Sequence, residues 1–408
     1  MKQISNVISS FLTSYKIDLY EQEEKLGTLQ TKKQFTICVP KEITVNEKRV
    51  PLTPEGVELL IAYGYKVVIE KDAGLNSDFS NTEYSDCGAV IGETPEEAYK
   101  GDIILKLNHP QQHEIEMIPE GKIVVSNLHK RKPTIESIQA LIKRKITGIA
   151  VEYITDHSGR YSIRNTLFPI EGKAVMLMAA ELLTNERGGQ GILLGGIAGI
   201  APVEVVIIGA GVVAEHAAQV ATVLGAIVKI FSSSIGELYV LKQKLGQSLF
   251  TNMLHKQALI KALHTADVVI NTVNFEEHDL SFRLNEDYFK VLKKRTVVLD
   301  MSGESEMYFE DVISQGFNRK LFKKYNIIYH CMTNVSSRVA RTSSMSLNNI
   351  AIEIIDQITQ SANFIQLLRK DKGLCNGIYA YNGILTNSLL GRMYNMPYQD
   401  INLLLAAF

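Results

Sequence analysis

Short runs of β-branched residues alternate with helical patterns in two separate series along this chain, and that double alternation is its strongest constraint. The first series is FTICVP (35–40), YKVVIEKDA (65–73), DIILKL (102–107), KIVVSNL (122–128) and TGIAVEYI (147–154). The second is EVVIIGAG (204–211), AIVKIFSS (226–233), DVVINTV (267–273), RTVVLDMS (295–302) and NIIYHC (326–331). Apolar strands separated by helices build parallel sheets that are covered on both faces. Two such series predict an α/β protein of two doubly wound, Rossmann-like domains with an interdomain cleft. A chain of 408 residues, 46% of them apolar, is long enough to bury a core in each.

Two helical patterns, IEGKAVMLMAAELL (170–183) and SSMSLNNIAIEIIDQITQS (343–361), read as the elements that cross between the series. They place the expected boundaries. Residues 1–34 form a helical extension, with Ile4, Val7, Ile8, Phe11, Leu12 and Tyr15 on one stripe. Residues 35–169 and 340–408 form a discontinuous substrate domain, to which the C-terminus returns, and 170–339 form a dinucleotide-binding domain.

Charge and cysteine usage narrow the partners. With 43 basic and 44 acidic residues the net charge is −1, so the chain carries no general positive field for nucleic acid or an anionic membrane. The longest uncharged stretch, from Gly188 to Val203, is broken by six glycines and Pro202, which argues against membrane insertion. Cys38, Cys87, Cys331 and Cys375 lie far apart with no metal-ligand spacing, so no metal site is expected and a reducing, cytoplasmic setting is.

The run GAGVVAEHAA after the strand at 204–208 puts Gly209, Gly211 and Ala214 at the three small positions of GxGxx[G/A]. Each has a physical task. Gly209 permits the tight turn, Gly211 lets backbone approach a pyrophosphate, and Ala214 allows close helix packing, with the helix amides facing the phosphates. The acidic residue expected about 20 positions on, to accept the ribose hydroxyls, is replaced by Ser232. The cofactor expected is NAD, and the missing carboxylate leaves open NADP use, because the charge that repels a 2′-phosphate is gone, as well as weak NAD binding and loss of binding.

The segment VPKEITVNEKRVPLTPEGVELL (39–60) resembles the opening of the alanine dehydrogenase and pyridine nucleotide transhydrogenase N-terminal family. The likeness continues through DIILKL, SNLHKRKP (126–133), GILLGGIAGIAPVEVVIIGAGVVAEHAA (191–218), VVLDMSG (297–303) and NVSSRVARTSS (334–344). The closing stretch 377–408 and the amino-terminal extension look like the longer alanine dehydrogenase-like proteins. This resemblance implies a nicotinamide-dependent oxidoreductase acting on CH–NH2, which deaminates L-alanine reversibly to pyruvate and ammonium and works as a homo-oligomer. Arg49 and Lys106 match the positions that grip the substrate carboxylate and its neighbouring oxygen, a task that suits a planar fork and a compact charge. His129 matches the general acid/base. Glu304 falls where the family has Asp or Glu, placed to orient the ribose or the histidine, and Asn334 keeps the family's cofactor-contacting Asn.

Several departures fall where the cofactor is expected. Leu167, Phe168 and Pro169 replace Met-Ser-Glu, Ser305-Glu306-Met307 replaces Gln-Gly-Gly, and NFEEHDL (274–280) brings acids to a loop facing the nicotinamide. Two further readings therefore stay open: a divergent, regulatory or catalytically impaired nucleotide-binding homologue, and the soluble nucleotide-binding subunit of a proton-translocating transhydrogenase, which Glu304 favours.

Overall fold

The computed structural model describes residues 34–408 except 45, 129–132, 274–283, 285, 302–324, 333, 362 and 407–408. The expected amino-terminal helix, His129, Glu304 and the loop 274–280 lie outside the described residues. The strands of the first half are β1 (Thr36–Val39), β2 (Lys66–Glu70), β3 (Val90–Gly92), β4 (Ile103–Asn108), β5 (Ile123–Asn127) and β6 (Thr147–Ala150). Those of the second are β7 (Glu204–Ile208), β8 (Ile227–Ser232), β9 (Phe250–Met253), β10 (Val268–Asn271), β11 (Val297–Asp300) and β12 (Ile328–Cys331), followed by β13 (Ile378–Tyr381) and β14 (Ile384–Leu385).

They form two sheets. In the first the order is β14-β13-β6-β5-β4-β1-β2-β3, and in the second β12-β11-β10-β7-β8-β9. In each, six parallel strands start in the middle, run to one edge, then cross back to the other side. The order reverses between β1 and β4 in the first sheet and between β7 and β10 in the second. At such a switch point the loops leave the carboxyl ends of neighbouring strands in opposite directions and open a crevice, where ligands of doubly wound sheets bind. The last two strands are different. β13 runs antiparallel to both β6 and β14, and its hairpin turns through Asn382 (φ 46°) and Gly383 (φ 82°), the left-handed pair of a two-residue loop.

Five helices matter for the site: α1 (Pro54–Ala62), α2 (Ser162–Leu183), α3 (Val212–Val223), α4 (Ile235–Leu245) and α5 (Ala340–Gln360). Apolar side chains cover both faces of both sheets, as the near-continuous β-branched strands require. Helix α2 joins two of these cores: Ile163 and Leu167 pack under the first sheet, and Val175, Met176, Ala179 and Leu183 under the second. It begins well before the expected 170–183, running through Pro169. The cost of the missing amide there is offset by burial of Ile163 and Leu167 in its first two turns. The same packing absorbs the bulk expected near the cofactor, since Leu167 is 3% exposed and Phe168 packs on the core of the first sheet.

Candidate functional site

Arg49 follows β1 on a segment clamped from two sides. On one side the Val50 amide donates to Ser344 Oγ (2.9 Å) and the Thr53 amide to Asn348 Oδ1 (3.0 Å), both on α5. Thr53 also caps α1, whose Gly56 lies so close to Asn348 that an added Cβ would fall 1.9 Å from Oδ1. On the other side the Lys48 amide donates to Ser337 Oγ (2.8 Å). The chain therefore holds this loop through its backbone, leaving the arginine side chain for other work.

The guanidinium is buried, 3% exposed, and its inner edge is fully engaged. Nε and Nη2 donate to the two carboxylate oxygens of Glu47 (2.7 and 2.5 Å), and Nη1 donates to Ser336 Oγ (2.9 Å), which in turn donates to Glu171 Oε1 (2.8 Å). Burial opposes the arginine's charge, yet the hydrogen bonds and negative charge of Glu47 hold its pKa above the ordinary value. Among the described residues one N–H on Nη1 and one on Nη2 have no partner, and these two are the donors the outer fork offers a carboxylate. Asn334, expected at the cofactor, donates through Nδ2 to Glu47 Oε2 (3.0 Å), so the segment after β12 is tied to the acid that orients Arg49.

Lys106 lies near the carboxyl end of β4, across the switch point from β1. Its ammonium, also 3% exposed, donates to Glu114 Oε1 (2.7 Å), Tyr99 Oη (3.3 Å) and the Lys41 carbonyl (3.4 Å), with Glu42 Oε2 at 3.9 Å. Burial pushes the Glu114 carboxyl up, but the charge and hydrogen bonds of Lys106 and Tyr99 outweigh it and leave the pKa below the usual range. Burial and the charge of Glu114 drive the Tyr99 phenol well above its ordinary value, so it stays a proton donor. Arg49 and Lys106 both line a recess whose walls include Leu107, Ile163, Leu167, Leu347 and Ile354. Two buried cations, each held by a carboxylate, stand with Asn127 in a largely apolar pocket, a lining that suits a small monocarboxylate whose remaining atoms are apolar or carbonyl-like.

β5 ends at Asn127, and the Leu128 amide donates to buried Glu152 (2.6 Å), which anchors the chain directly before His129. His109, by contrast, is a structural histidine. It is enclosed between Ser137 Oγ (3.1 Å) and Tyr379 Oη (3.3 Å), and burial holds its pKa down at about 4.

In the second sheet Gly209 follows β7 with φ 103°, and an added Cβ would fall 2.3 Å from Thr272 Oγ1. No residue but glycine suits that turn. Gly211 caps α3 without any side-chain hydrogen bond to the helix amides, and an added Cβ there meets nothing within 4 Å. Among the described residues nothing fills the space at Gly211 or caps the helix amides through a side chain, which is what a pyrophosphate needs, so these residues fit a dinucleotide. Ala214 is fully buried, and Gly172 of α2 sits so close to α3 that a Cβ would lie 2.5 Å from the Val213 carbonyl oxygen. Asp300 is structural, accepting from Asn271 Nδ2 (3.0 Å) and Tyr329 Oη (2.8 Å) across β10–β12. Ser232 closes β8, 4% exposed, with Glu237 Oε2 3.1 Å from its hydroxyl.

Glu47, Ser336, Glu171, Tyr99 and Glu114 have no part in the expected site. Glu47 and Ser336 stand within the motif blocks quoted above, but only the folded chain brings them together.

Buried cations in a recess of the first sheet and a glycine turn at the switch point of the second define a two-sheet, doubly wound α/β protein. The family described as alanine dehydrogenase/PNT matches over both parts, its N-terminal domain over residues 38–165 and its C-terminal domain over 175–388. An alanine dehydrogenase of Methanococcus maripaludis is 32% identical over 365 residues, covering 89% of this chain and 97% of that protein. Among solved structures, an L-alanine dehydrogenase superposes with a TM-score of 0.78 at 23% identity, covering 88% of this chain and 99% of that one. A transhydrogenase from Sinorhizobium meliloti superposes with a TM-score of 0.71 at 20% identity, covering 87% and 99%. The chain belongs to the alanine dehydrogenase/PNT family.

Proposed function

We propose that this chain is an amino-acid dehydrogenase that interconverts L-alanine and pyruvate, with NAD as its cofactor. The balanced reaction is L-alanine, NAD⁺ and water to pyruvate, ammonium, NADH and a proton. The observation that carries the reading is the outer fork of Arg49 beside Lys106 in an apolar recess, on a chain whose second sheet presents an open, glycine-lined helix start. We assign 35–169 with 340–408 to the substrate side and 170–339 to the dinucleotide side.

Bound nicotinamide supplies an acceptor for the hydride leaving Cα. Arg49 grips the substrate carboxylate through its two remaining N–H groups, and Glu47 keeps the fork from rotating. Lys106 places a positive charge beside the oxygen of the keto acid and favours the form in which that oxygen carries negative charge. His129 takes a proton from the water that attacks the iminium carbon and returns it in the other direction. Glu304 orients the ribose or the histidine, and Asn334 reaches the cofactor from the segment that also braces Glu47. The apolar walls exclude water from the reacting centre. Among the described residues no helix is long and apolar enough to cross a membrane, and four free thiols suit the reducing cytoplasm. A homo-oligomer fits the family.

The test is oxidation of NADH and of NADPH by the purified protein with pyruvate, with and without ammonium. Ammonium-dependent oxidation of NADH supports the reading. Cofactor binding without turnover points instead to a regulatory homologue. In the same assay His129→Ala is expected to lower kcat by about 10²-fold or more, and turnover within twofold of the unaltered protein removes His129 from the mechanism.

A further inference from the structure

Resting on the dinucleotide reading of the second sheet, we infer that Glu237, a residue of α4, supplies the carboxylate that accepts the adenine-ribose hydroxyls. Ser232 acts as its positioning residue. In a doubly wound dinucleotide site this carboxylate stands at the carboxyl end of the second strand. That place belongs to Ser232, the last residue of β8. A serine hydroxyl alone is a poor substitute, because it has one proton and no charge.

The local hydrogen bonding brings an acid to the same place. Ser234 caps α4, and the Glu237 amide donates to Ser234 Oγ (3.3 Å). In a Ser-x-x-Glu helix start the glutamate side chain ordinarily folds back onto the amide of the capping residue. Here that amide is already taken, since Ser234 N–H donates to Ser232 Oγ (3.1 Å). The carboxylate turns to the Ser232 hydroxyl instead, with Oε2 at 3.1 Å. Glu237 itself is exposed, and its Oε1 has no protein partner among the described residues. A charged acceptor thus stands within one hydrogen bond of the strand end where the ribose is bound.

The same arrangement disfavours a 2′-phosphate. The Ser232 proton is committed to Glu237, the stretch 231–237 (FSSSIGE) contains no lysine or arginine, and a phosphate placed there would meet the carboxylate. Lys256, which follows the adjoining strand β9, is paired with Asp287 (2.9 Å).

Calorimetric titration of the full chain with ADP-ribose and with 2′-phospho-ADP-ribose tests this apart from catalysis. The unaltered protein is expected to prefer ADP-ribose by about tenfold or more. Glu237→Gln should weaken ADP-ribose by about tenfold, the worth of one hydrogen bond to a charged group, while 2′-phospho-ADP-ribose binds no more weakly. Adding Ser232→Asp to that variant should restore ADP-ribose affinity, a rescue that a purely structural role for Glu237 does not produce. If Glu237→Gln binds ADP-ribose within twofold of the unaltered protein while Gly211→Val does not bind it, the dinucleotide site stands and the role of Glu237 is overturned. If the unaltered protein binds neither ligand, the dinucleotide reading itself fails and this assignment with it. A preference for 2′-phospho-ADP-ribose also overturns the assignment.

Discussion

Arg49→Met is expected to lower stability by about 3–5 kcal/mol and to reduce kcat/KM with alanine by about 10²–10³-fold. The two effects have separate causes. Glu47 is 3% exposed and spends both oxygens on the guanidinium, so removing Arg49 strands a buried carboxylate and frees Ser336, which links to Glu171. The loss of activity comes from the outer fork, which Glu47 does not use. The double variant Glu47→Gln/Arg49→Met should therefore recover much of the stability, since the Glu47 charge is removed with its partner, and recover none of the activity. Urea unfolding and steady-state kinetics on the three proteins separate these contributions. Activity returning with stability would show that Arg49 is only a structural ion-pair partner.

Gly211→Val is expected to weaken NADH binding by about 10²-fold while changing stability by less than about 1 kcal/mol. The new side chain enters open space, with no heavy atom within 4 Å of its Cβ, so the fold has little reason to object. What it occupies is the approach to the α3 amides, and each charge-assisted hydrogen bond lost there is worth about 1.5–3 kcal/mol. Gly209→Ala should behave differently. At φ 103° and 2.3 Å from Thr272 Oγ1, its methyl group strains the turn itself, and stability should fall by about 1–3 kcal/mol along with affinity. Fluorescence titration with NADH and thermal unfolding distinguish the two positions. Equal stability losses at both would mean that the glycines serve packing alone, and undiminished NADH affinity in Gly211→Val would remove the phosphate from this turn.

Much of the fold was legible because parallel strands buried on both faces leave a local mark. All ten β-branched runs became strands, with ends trimmed by a few residues, since strand propensity and burial act over four to six neighbours. Strands β3 and β9 escaped notice because they are short and partly exposed: only Gly92 of the first is buried, and none of the second is. The hairpin of β13 and β14 did carry a signal, an Asn-Gly pair between apolar runs in IYAYNGIL, which marks a two-residue loop. Helix α2 outruns its local pattern at 170–183 because Pro169 is a local breaker, whereas the burial of Ile163 and Leu167 that carries the helix past it is a tertiary fact.

The two α/β series and the glycine turn are legible in the chain because each is written in residues close together, while Arg49 and Lys106 stood out only through the family resemblance of the blocks that hold them. Tertiary structure alone decided what those residues meet. Strand order set β1 beside β4 and so brought Arg49 and Lys106 to one recess. The return of the chain after β12 placed Asn334 and Ser336 against Glu47 and Arg49, contacts that span 287 positions. The departure at Ser232 shows the same division at close range, for the missing acid could be read from the strand, but the acid at Glu237 could not. Its direction depends on which partner takes the Ser234 amide, and competition among neighbouring donors and acceptors is settled only in three dimensions.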